Sequence, residues 1–209
     1  LKKSIHIPGQ NDLFSPSGSR DIDVTDGRLI LYPQVIEAGE CGRLFDQLMA
    51  ETPWQQDHIH IYGKQVKTPR LSAWYGDRPY RYSGIELKPR SLSPLLEALK
   101  QRMQVLTDEN YNSALLNLYR DGTDSMSWHS DDEAELGQNP AIASLNLGAT
   151  RRFRLRRKDD HKQTRTLDLS GGDVLLMAGP LQHFWQHSVP KTKKTVGPRI
   201  NLTFRLIRA

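Results

Sequence analysis

From about residue 114 onward the chain breaks into short strand-like runs, and this punctuation narrows the fold more than any other feature. The runs are 114–119, 141–147, 152–157, 164–169, 173–178 and 199–207. Gly, Pro and Asp separate them, most sharply at Gly171-Gly172-Asp173. Several short strands at this spacing suggest a sandwich or jelly roll. Two helical stretches precede them. In 40–51, Leu44, Phe45, Leu48 and Met49 recur at helical spacing. In the second, Ser93 suits the N-cap and Pro94 the first helical position. Leu95, Leu96, Leu99, Met103 and Leu106 then follow on one stripe. Leu29-Ile30-Leu31-Tyr32 reads as a short buried strand ended by Pro33. The expected fold is mainly β with flanking helices: a double-sheet core packed against two N-terminal helices. Residues 1–28, turn-prone around Ser15-Pro16-Ser17-Gly18-Ser19, are expected to be a flexible N-terminal arm. Residues 29–209 are expected to form a single domain.

Composition excludes several function classes. At 37% hydrophobic and 25% charged, the chain can bury a core. No apolar run approaches the roughly 18–20 residues of a membrane span, so no membrane partner is expected. One cysteine, Cys41, cannot make an internal disulfide or a thiolate-rich metal site. Any metal must therefore be held mainly by His and carboxylates. With no secretory segment visible, the expected location is intracellular, most simply cytoplasmic, or nuclear in a eukaryote. The net charge of +5 permits a polyanionic partner without demanding one.

Trp128-His129-Ser130-Asp131 contains His-x-Asp. In an extended segment, residues two apart point to the same side, so His129 and Asp131 can reach one metal ion. A third ligand must come from elsewhere, and both His183 and His187 are candidates. Two His and one carboxylate on one face of a metal is the arrangement of non-haem Fe(II) oxygenases. His-x-Asp alone is weak evidence, because a His near an Asp is usually a surface pair. The C-terminal strand adds weight. Arg199, Asn201, Thr203 and Arg205 share one face, while Ile200, Leu202, Phe204 and Leu206 share the other. The two arginines start roughly 20 Å apart if the strand is fully extended. Their side chains can lean together over a small dicarboxylate, with the bidentate geometry such pairs favour. An ordinary strand with one wet face shows the same pattern. Asn117 and Tyr119 repeat it on Leu116-Asn117-Leu118-Tyr119.

Together these segments resemble the AlkB family of Fe(II)/2-oxoglutarate dioxygenases, the oxidative nucleic-acid demethylases. They are most similar to the branch that includes the animal DNA-repair homologues. The resemblance rests on Asn117-Leu118-Tyr119-Arg120-Asp121-Gly122, His129-Ser130-Asp131-Asp132-Glu133 and Ala143-Ser144-Leu145-Asn146-Leu147-Gly148. It continues through Gln186-His187-Ser188-Val189-Pro190 and the strand from Arg199 to Arg205, and spans roughly 54–207. It implies a double-stranded β-helix (jelly-roll) core over about 112–209, with a nucleic-acid recognition lid over about 55–90. It implies that His129, Asp131 and His187 ligate Fe(II), with His183 outside the ligand set. It implies that Arg199 binds the distal carboxylate of 2-oxoglutarate and that Arg205 lies near its keto-acid end. Asn117, Tyr119, Asn201 and Thr203 are the remaining implied co-substrate contacts.

The implied reaction removes an N-methyl group from a base, with formaldehyde, succinate and CO₂ as products. The expected substrates are 1-methyladenine and 3-methylcytosine lesions in DNA, with RNA as a second substrate class. A base inside a duplex must be flipped out for such chemistry. Tyr80 and Tyr82, in Tyr80-Arg81-Tyr82-Ser83-Gly84, match the family's lid segment, and Ser83 falls beside them. Glu133 matches an acidic base contact, and Arg70 a nucleic-acid contact. Ile61 and Tyr62 fall where similar duplex repairers carry an apolar wedge. Strand packing, a solvated acidic loop and an ordinary hairpin are the bland alternatives for these positions. Arg152, Arg154 and Arg156 form one basic strand face, and Lys191, Lys193 and Lys194 a second cluster. Beside a site, both become a plausible electrostatic track. A monomer is expected. Two competing readings are a dioxygenase that hydroxylates a protein or small molecule, and a non-catalytic nucleic-acid-binding jelly roll.

Overall fold

The computed structural model describes residues 18–61, 64–82 and 85–208. In chain order, β1 (Arg20–Asp21) and β2 (Arg28–Tyr32) precede α1 (Ala38–Glu51). A hairpin of β3 (His58–Ile61) and β4 (Lys64–Lys67) follows, then β5 (Leu71–Tyr75), then a second hairpin of β6 (Tyr80–Tyr82) and β7 (Ile85–Leu87). α2 (Pro94–Thr107), β8 (Ser113–Tyr119) and β9 (Met126–His129) come next, with a 3-10 turn at Ala134–Leu136. The chain then runs through β10 (Ile142–Gly148), β11 (Arg151–Arg157), β12 (Thr164–Leu169) and β13 (Val174–Ala178). α3 (Leu181–Phe184), β14 (Trp185–Val189) and β15 (Arg199–Arg205) complete it.

Two antiparallel sheets carry the architecture. The larger has the order β1-β2-β13-β10-β15-β8-β5, and the smaller β12-β11-β14-β9. Alternation explains how the larger sheet is covered. Leu116, Leu118, Ala143, Leu145, Leu147, Ile200, Leu202 and Phe204 belong to one apolar cluster with Leu44 and Leu48 of α1 and Leu96, Leu99 and Met103 of α2. The helices thus cover one face of that sheet. Residues of opposite parity turn toward the smaller sheet. There Ile142, Leu175 and Met177 meet Phe153, Leu155, Leu167, Leu169 and Trp185. This is the expected double-sheet core with two helices outside it.

α2 forms where its stripe and caps agree. Ser93 Oγ accepts from Leu96 N–H at 3.3 Å, and Pro94 occupies the first turn. Asp108 ends the helix in the left-handed region, φ 55°. Val105, off the stripe, is exposed. The turn at Ser170–Asp173 is equally determined. Asp173 accepts from Gln34 N–H at 3.0 Å and Ser170 N–H at 2.8 Å. Gly172 has φ +91°, and a Cβ there would collide with the Ile36 carbonyl. Gly172→Ala combines left-handed strain of roughly 1–2 kcal/mol with that collision. A fall in Tm of about 4–8 °C is expected in a thermal melt. An unchanged Tm would mean that the turn relaxes freely.

Residues 18–28 differ from the expectation of an arm, because they are docked on the sheets. Arg20 and Asp21 pair with Leu31 and Ile30. Arg157 holds Thr25 Oγ1 at 2.6 Å and Asp26 Oδ2 at 2.7 Å, and Arg165 holds Asp23 at 3.1 Å. Ile22 and Val24 pack against the core between the sheets. The earlier part of the expected arm lies outside the described residues.

Candidate metal centre and co-substrate cleft

β15 is buried along its whole length. An alternating strand normally leaves its polar face in water. Here Arg199, Asn201, Thr203 and Arg205 instead turn into the space between the sheets, with relative exposures of 2%, 7%, 7% and 1%. Buried polar groups need partners, and these four line one wall of a cleft. Asn117 and Tyr119 lie on the neighbouring strand β8, with Asn117 opposite Asn201 and Tyr119 opposite Arg199. His129, Asp131 and His187 line the same cleft.

Strand pairing brings the three metal-donor candidates together. β9 and β14 run antiparallel with His129 directly opposite His187, just before a register irregularity ahead of Val189. Opposed residues have Cβ atoms about 5 Å apart on one face, and the two imidazole centroids are 4.1 Å apart. Asp131 follows His129 by two and turns back onto them. Its carboxylate lies 3.7 Å from His129 Nε2 and 3.9 Å from His187 Nε2. One donor atom from each of the three lies within 4.8 Å of the others. His183, the other sequence candidate, sits exposed on α3 and outside this group.

The surroundings fix the protonation that a metal requires. His129 Nδ1–H donates to the Ser127 carbonyl at 2.9 Å, which leaves the Nε2 lone pair facing Asp131. Burial lowers the pKa of both imidazoles, that of His187 to about 3, with His129 and Arg205 adding to the effect. Burial alone would raise the Asp131 carboxyl. The guanidinium of Arg205 is the chief influence that outweighs it and holds the group below the usual carboxylate range. Two neutral imidazoles and one carboxylate at neutral pH are a ready donor set. Arg205 Nη2 lies 3.4 Å from Asp131 Oδ2 and donates to Thr203 Oγ1 at 2.9 Å.

Arg199 has a different environment. Its Nη2–H donates to Asn146 Oδ1, and its guanidinium carbon lies 5.0 Å from the Tyr119 ring centroid. Its Nε and Nη1 have no hydrogen-bond partner among the described residues. A buried cation with open N–H groups is costly unless an anion meets it. A dicarboxylate would provide that anion. A His-Asp-His donor set beside an incompletely partnered buried arginine fits Fe(II) together with 2-oxoglutarate.

Other expected site residues divide by position. Arg70, expected at the nucleic acid, is buried in the cleft and donates from Nε to Asn117 Oδ1 at 2.8 Å. Glu133 is half-buried at the start of the 3-10 turn, outside the cleft lining. Tyr80 and Tyr82 lie on β6 and Ile61 on β3, but their side chains, like all of Tyr62 and Ser83, lie outside the described residues. Arg152, Arg154, Lys191 and Lys194 line a separate groove. Arg154 and Arg156 lie over the Trp128 ring, at 5.5 and 4.4 Å from its centroid.

Two contributors are absent from the sequence reading of the site. Gln182 of α3, 1% exposed, accepts from Asp131 N–H at 3.0 Å and so sets the approach of the carboxylate. Asn146 holds Arg199, and Asn201 Nδ2 donates to Ser144 Oγ at 2.8 Å beside it. The alternation Ser144-Leu145-Asn146 carried a signal for Asn146. Nothing local marked Gln182.

Comparison with known proteins agrees with this geometry. The profile of the 2OG-Fe(II) oxygenase superfamily matches residues 28–205. The chain is 41% identical over 189 residues to the human alpha-ketoglutarate-dependent dioxygenase alkB homolog 3, covering 86% of this chain and 66% of that protein. It is 35% identical over 188 residues to the human DNA oxidative demethylase ALKBH2, covering 84% of this chain and 72% of that protein. The solved structure of OsALKBH1 shares the fold, with a TM-score of 0.62 at 18% identity, covering 85% of this chain and 97% of that one. Among the described residues no helix is long and apolar enough to cross a membrane. The sequence match across both sheets, and the donor set and buried arginine between them, lead to one conclusion: this chain belongs to the 2OG-Fe(II) oxygenase superfamily.

Proposed function

We propose that the protein is an Fe(II)- and 2-oxoglutarate-dependent oxidative demethylase that removes N-methyl groups from bases such as 1-methyladenine and 3-methylcytosine in DNA. RNA is a second substrate of the same chemistry. The observation that carries this reading is one buried strand, β15, with Arg205 beside the His129–Asp131–His187 cluster and Arg199 in the same cleft with two nitrogens, Nε and Nη1, unpartnered among the described residues. The ALKBH2 relative, by name a DNA oxidative demethylase, supports the substrate class, and the alkB homolog 3 relative, by name an alpha-ketoglutarate-dependent dioxygenase, supports the co-substrate.

In this reading His129, Asp131 and His187 hold Fe(II). Arg199, with Tyr119 beside it, would bind the distal carboxylate of 2-oxoglutarate. Asn117, Asn201 and Thr203 hydrogen-bond the rest of the co-substrate, and Arg205 keeps Asp131 ionised and oriented. When bound, iron and 2-oxoglutarate supply, with O₂, the oxidation of an N-methyl C–H bond; succinate, CO₂ and formaldehyde leave. The chain contributes placement and charge, and no side-chain nucleophile is required. Arg70, Glu133, Tyr80, Tyr82 and Ser83 are assigned to the base and its strand, and Ile61 with Tyr62 to a wedge that opens duplex. Arg152, Arg154 and Arg156, with the lysines at 191, 193 and 194, form the phosphate track. The protein acts as an intracellular monomer.

The test is incubation with Fe(II), ascorbate, 2-oxoglutarate and single- or double-stranded oligonucleotides carrying either lesion. Loss of one methyl mass that requires both iron and 2-oxoglutarate is expected. Succinate formation without methyl loss on any strand would turn the assignment toward a protein or small-molecule substrate.

A further inference from the structure

Arg151 is 3% exposed at the start of β11 and plays no part in the chemistry described above. Its Nη1 donates to the Asp121 carbonyl at 2.9 Å. Nη2 donates to the Asp124 carbonyl at 2.8 Å and the Pro190 carbonyl at 2.9 Å. The guanidinium carbon also lies over the Tyr119 ring, 5.6 Å from its centroid. Tyr119 is therefore faced by two guanidiniums, Arg151 of the smaller sheet and Arg199 of the larger.

Each contact touches a segment that carries a site residue. Asp121 and Asp124 belong to the loop between Tyr119 at the end of β8 and β9, which carries His129. Pro190 follows β14, which carries His187. One planar, five-donor group thus ties together the loop leading to the first histidine strand, the end of the second, and the aromatic ring beside Arg199. The rigid fork of arginine suits three fixed carbonyls, whereas lysine offers a single ammonium on a flexible stem.

We infer that Arg151 is a positioning residue for 2-oxoglutarate, holding the Tyr119 ring against the Arg199 end of the cleft so that the co-substrate meets a preformed site. It acts through Tyr119 and two loops and touches no reacting atom. The inference rests on the proposed assignment of Arg199 and Tyr119 to 2-oxoglutarate. Groups that orient the direct ligands of a metal change affinity or activity by about 10–100-fold when removed, and an effect at the lower end of that range is expected for a group that orients a co-substrate contact.

The experiment compares the wild-type chain with Arg151→Met, Arg151→Lys and Arg120→Ala. Arg120, next to Tyr119 in the chain, directs its guanidinium to Asp124 Oδ1 and Oδ2 at 2.8 Å, whereas the guanidiniums over the Tyr119 ring are those of Arg151 and Arg199, so the Arg120 variant controls for loop loosening alone. Binding of 2-oxoglutarate is measured by calorimetry on the Mn(II)-loaded proteins without turnover, together with the ligand-free Tm. KM for 2-oxoglutarate and kcat are measured on the Fe(II) forms. Arg151→Met is expected to raise Kd and KM about tenfold while kcat changes less than about threefold. Arg151→Lys should recover part of the loss, and Arg120→Ala should stay within about twofold. A lowered Tm with unchanged Kd in both Arg151 variants would make the residue purely structural and overturn the inference. An equal rise in Kd for Arg120→Ala would do the same by assigning the effect to the loop. If the wild-type protein binds no 2-oxoglutarate, the functional proposal itself fails, and this inference with it.

Discussion

His129→Ala is expected to abolish turnover while leaving the fold intact. The imidazole supplies one of three donors that converge within 4.8 Å. Even groups that merely orient a metal ligand change affinity or activity by about 10–100-fold, so loss of a donor should reduce turnover by more than roughly a hundredfold. His129 is the best of the three for this test. Its side chain is 22% exposed and stands at the end of β9, so truncation leaves no charge stranded. Asp131→Ala would also stop turnover, but it removes the carboxylate beside Arg205, which is itself 1% exposed. Breaking a buried pair of that kind costs about 3–5 kcal/mol, so lost activity there mixes with lost stability. The measurements are succinate formation and a thermal melt. Wild-type turnover in His129→Ala would remove this residue from the metal centre.

The second large effect concerns Arg199. Arg199→Met keeps much of the apolar packing against Tyr119 and removes the guanidinium. A hydrogen bond to a charged group is worth roughly 1.5–3 kcal/mol, so affinity for 2-oxoglutarate should fall by about one to two orders of magnitude. Stability should move the other way or stay level. In the ligand-free wild-type protein this cation is buried with Nε and Nη1 unpartnered among the described residues, and burial depresses its pKa. An apolar group of similar volume relieves that burden. The expected signature is therefore an unchanged or raised Tm without ligand and loss of the Tm increase that 2-oxoglutarate gives the wild type. An unchanged 2-oxoglutarate affinity would remove Arg199 from the co-substrate site.

The legible parts of this site were those written in local periodicity. β15 announces both its faces, and the spacing of two marks His129 and Asp131 as a pair, although Asp131 lies beyond β9 and reaches the cluster from the loop. The stripe and caps of α2 likewise match the helix found over Pro94–Thr107. The choice between His183 and His187 could not be made from spacing. It follows from the pairing of β9 with β14, and neither segment reads as a strand. Met126–His129 is half-exposed, and Trp185–Val189 is broken by polar residues. The hairpins β3–β4 and β6–β7 do alternate, as in His58-Ile59-His60-Ile61 and Ile85-Glu86-Leu87, but their strands are only three or four residues long, too short to read as strands from pattern alone. The docking of residues 20–26 depends on Arg157 and Arg165, far along the chain, and is a tertiary fact. The hydrogen bond from Arg70 to Asn117 is likewise a tertiary fact that no local pattern announces. Gln182 and Arg151 act through backbone groups brought close by the sheets, so no spacing rule finds them.

The most direct test of the central claim is stoichiometric. Methyl loss from a 3-methylcytosine oligonucleotide, formaldehyde release and succinate formation are measured in one reaction under limiting 2-oxoglutarate, with an iron-free control. The three quantities are expected to rise together in equal amounts and to vanish without iron. Succinate that accumulates at an unchanged rate with no methyl loss, from this lesion or from 1-methyladenine, would contradict the claim.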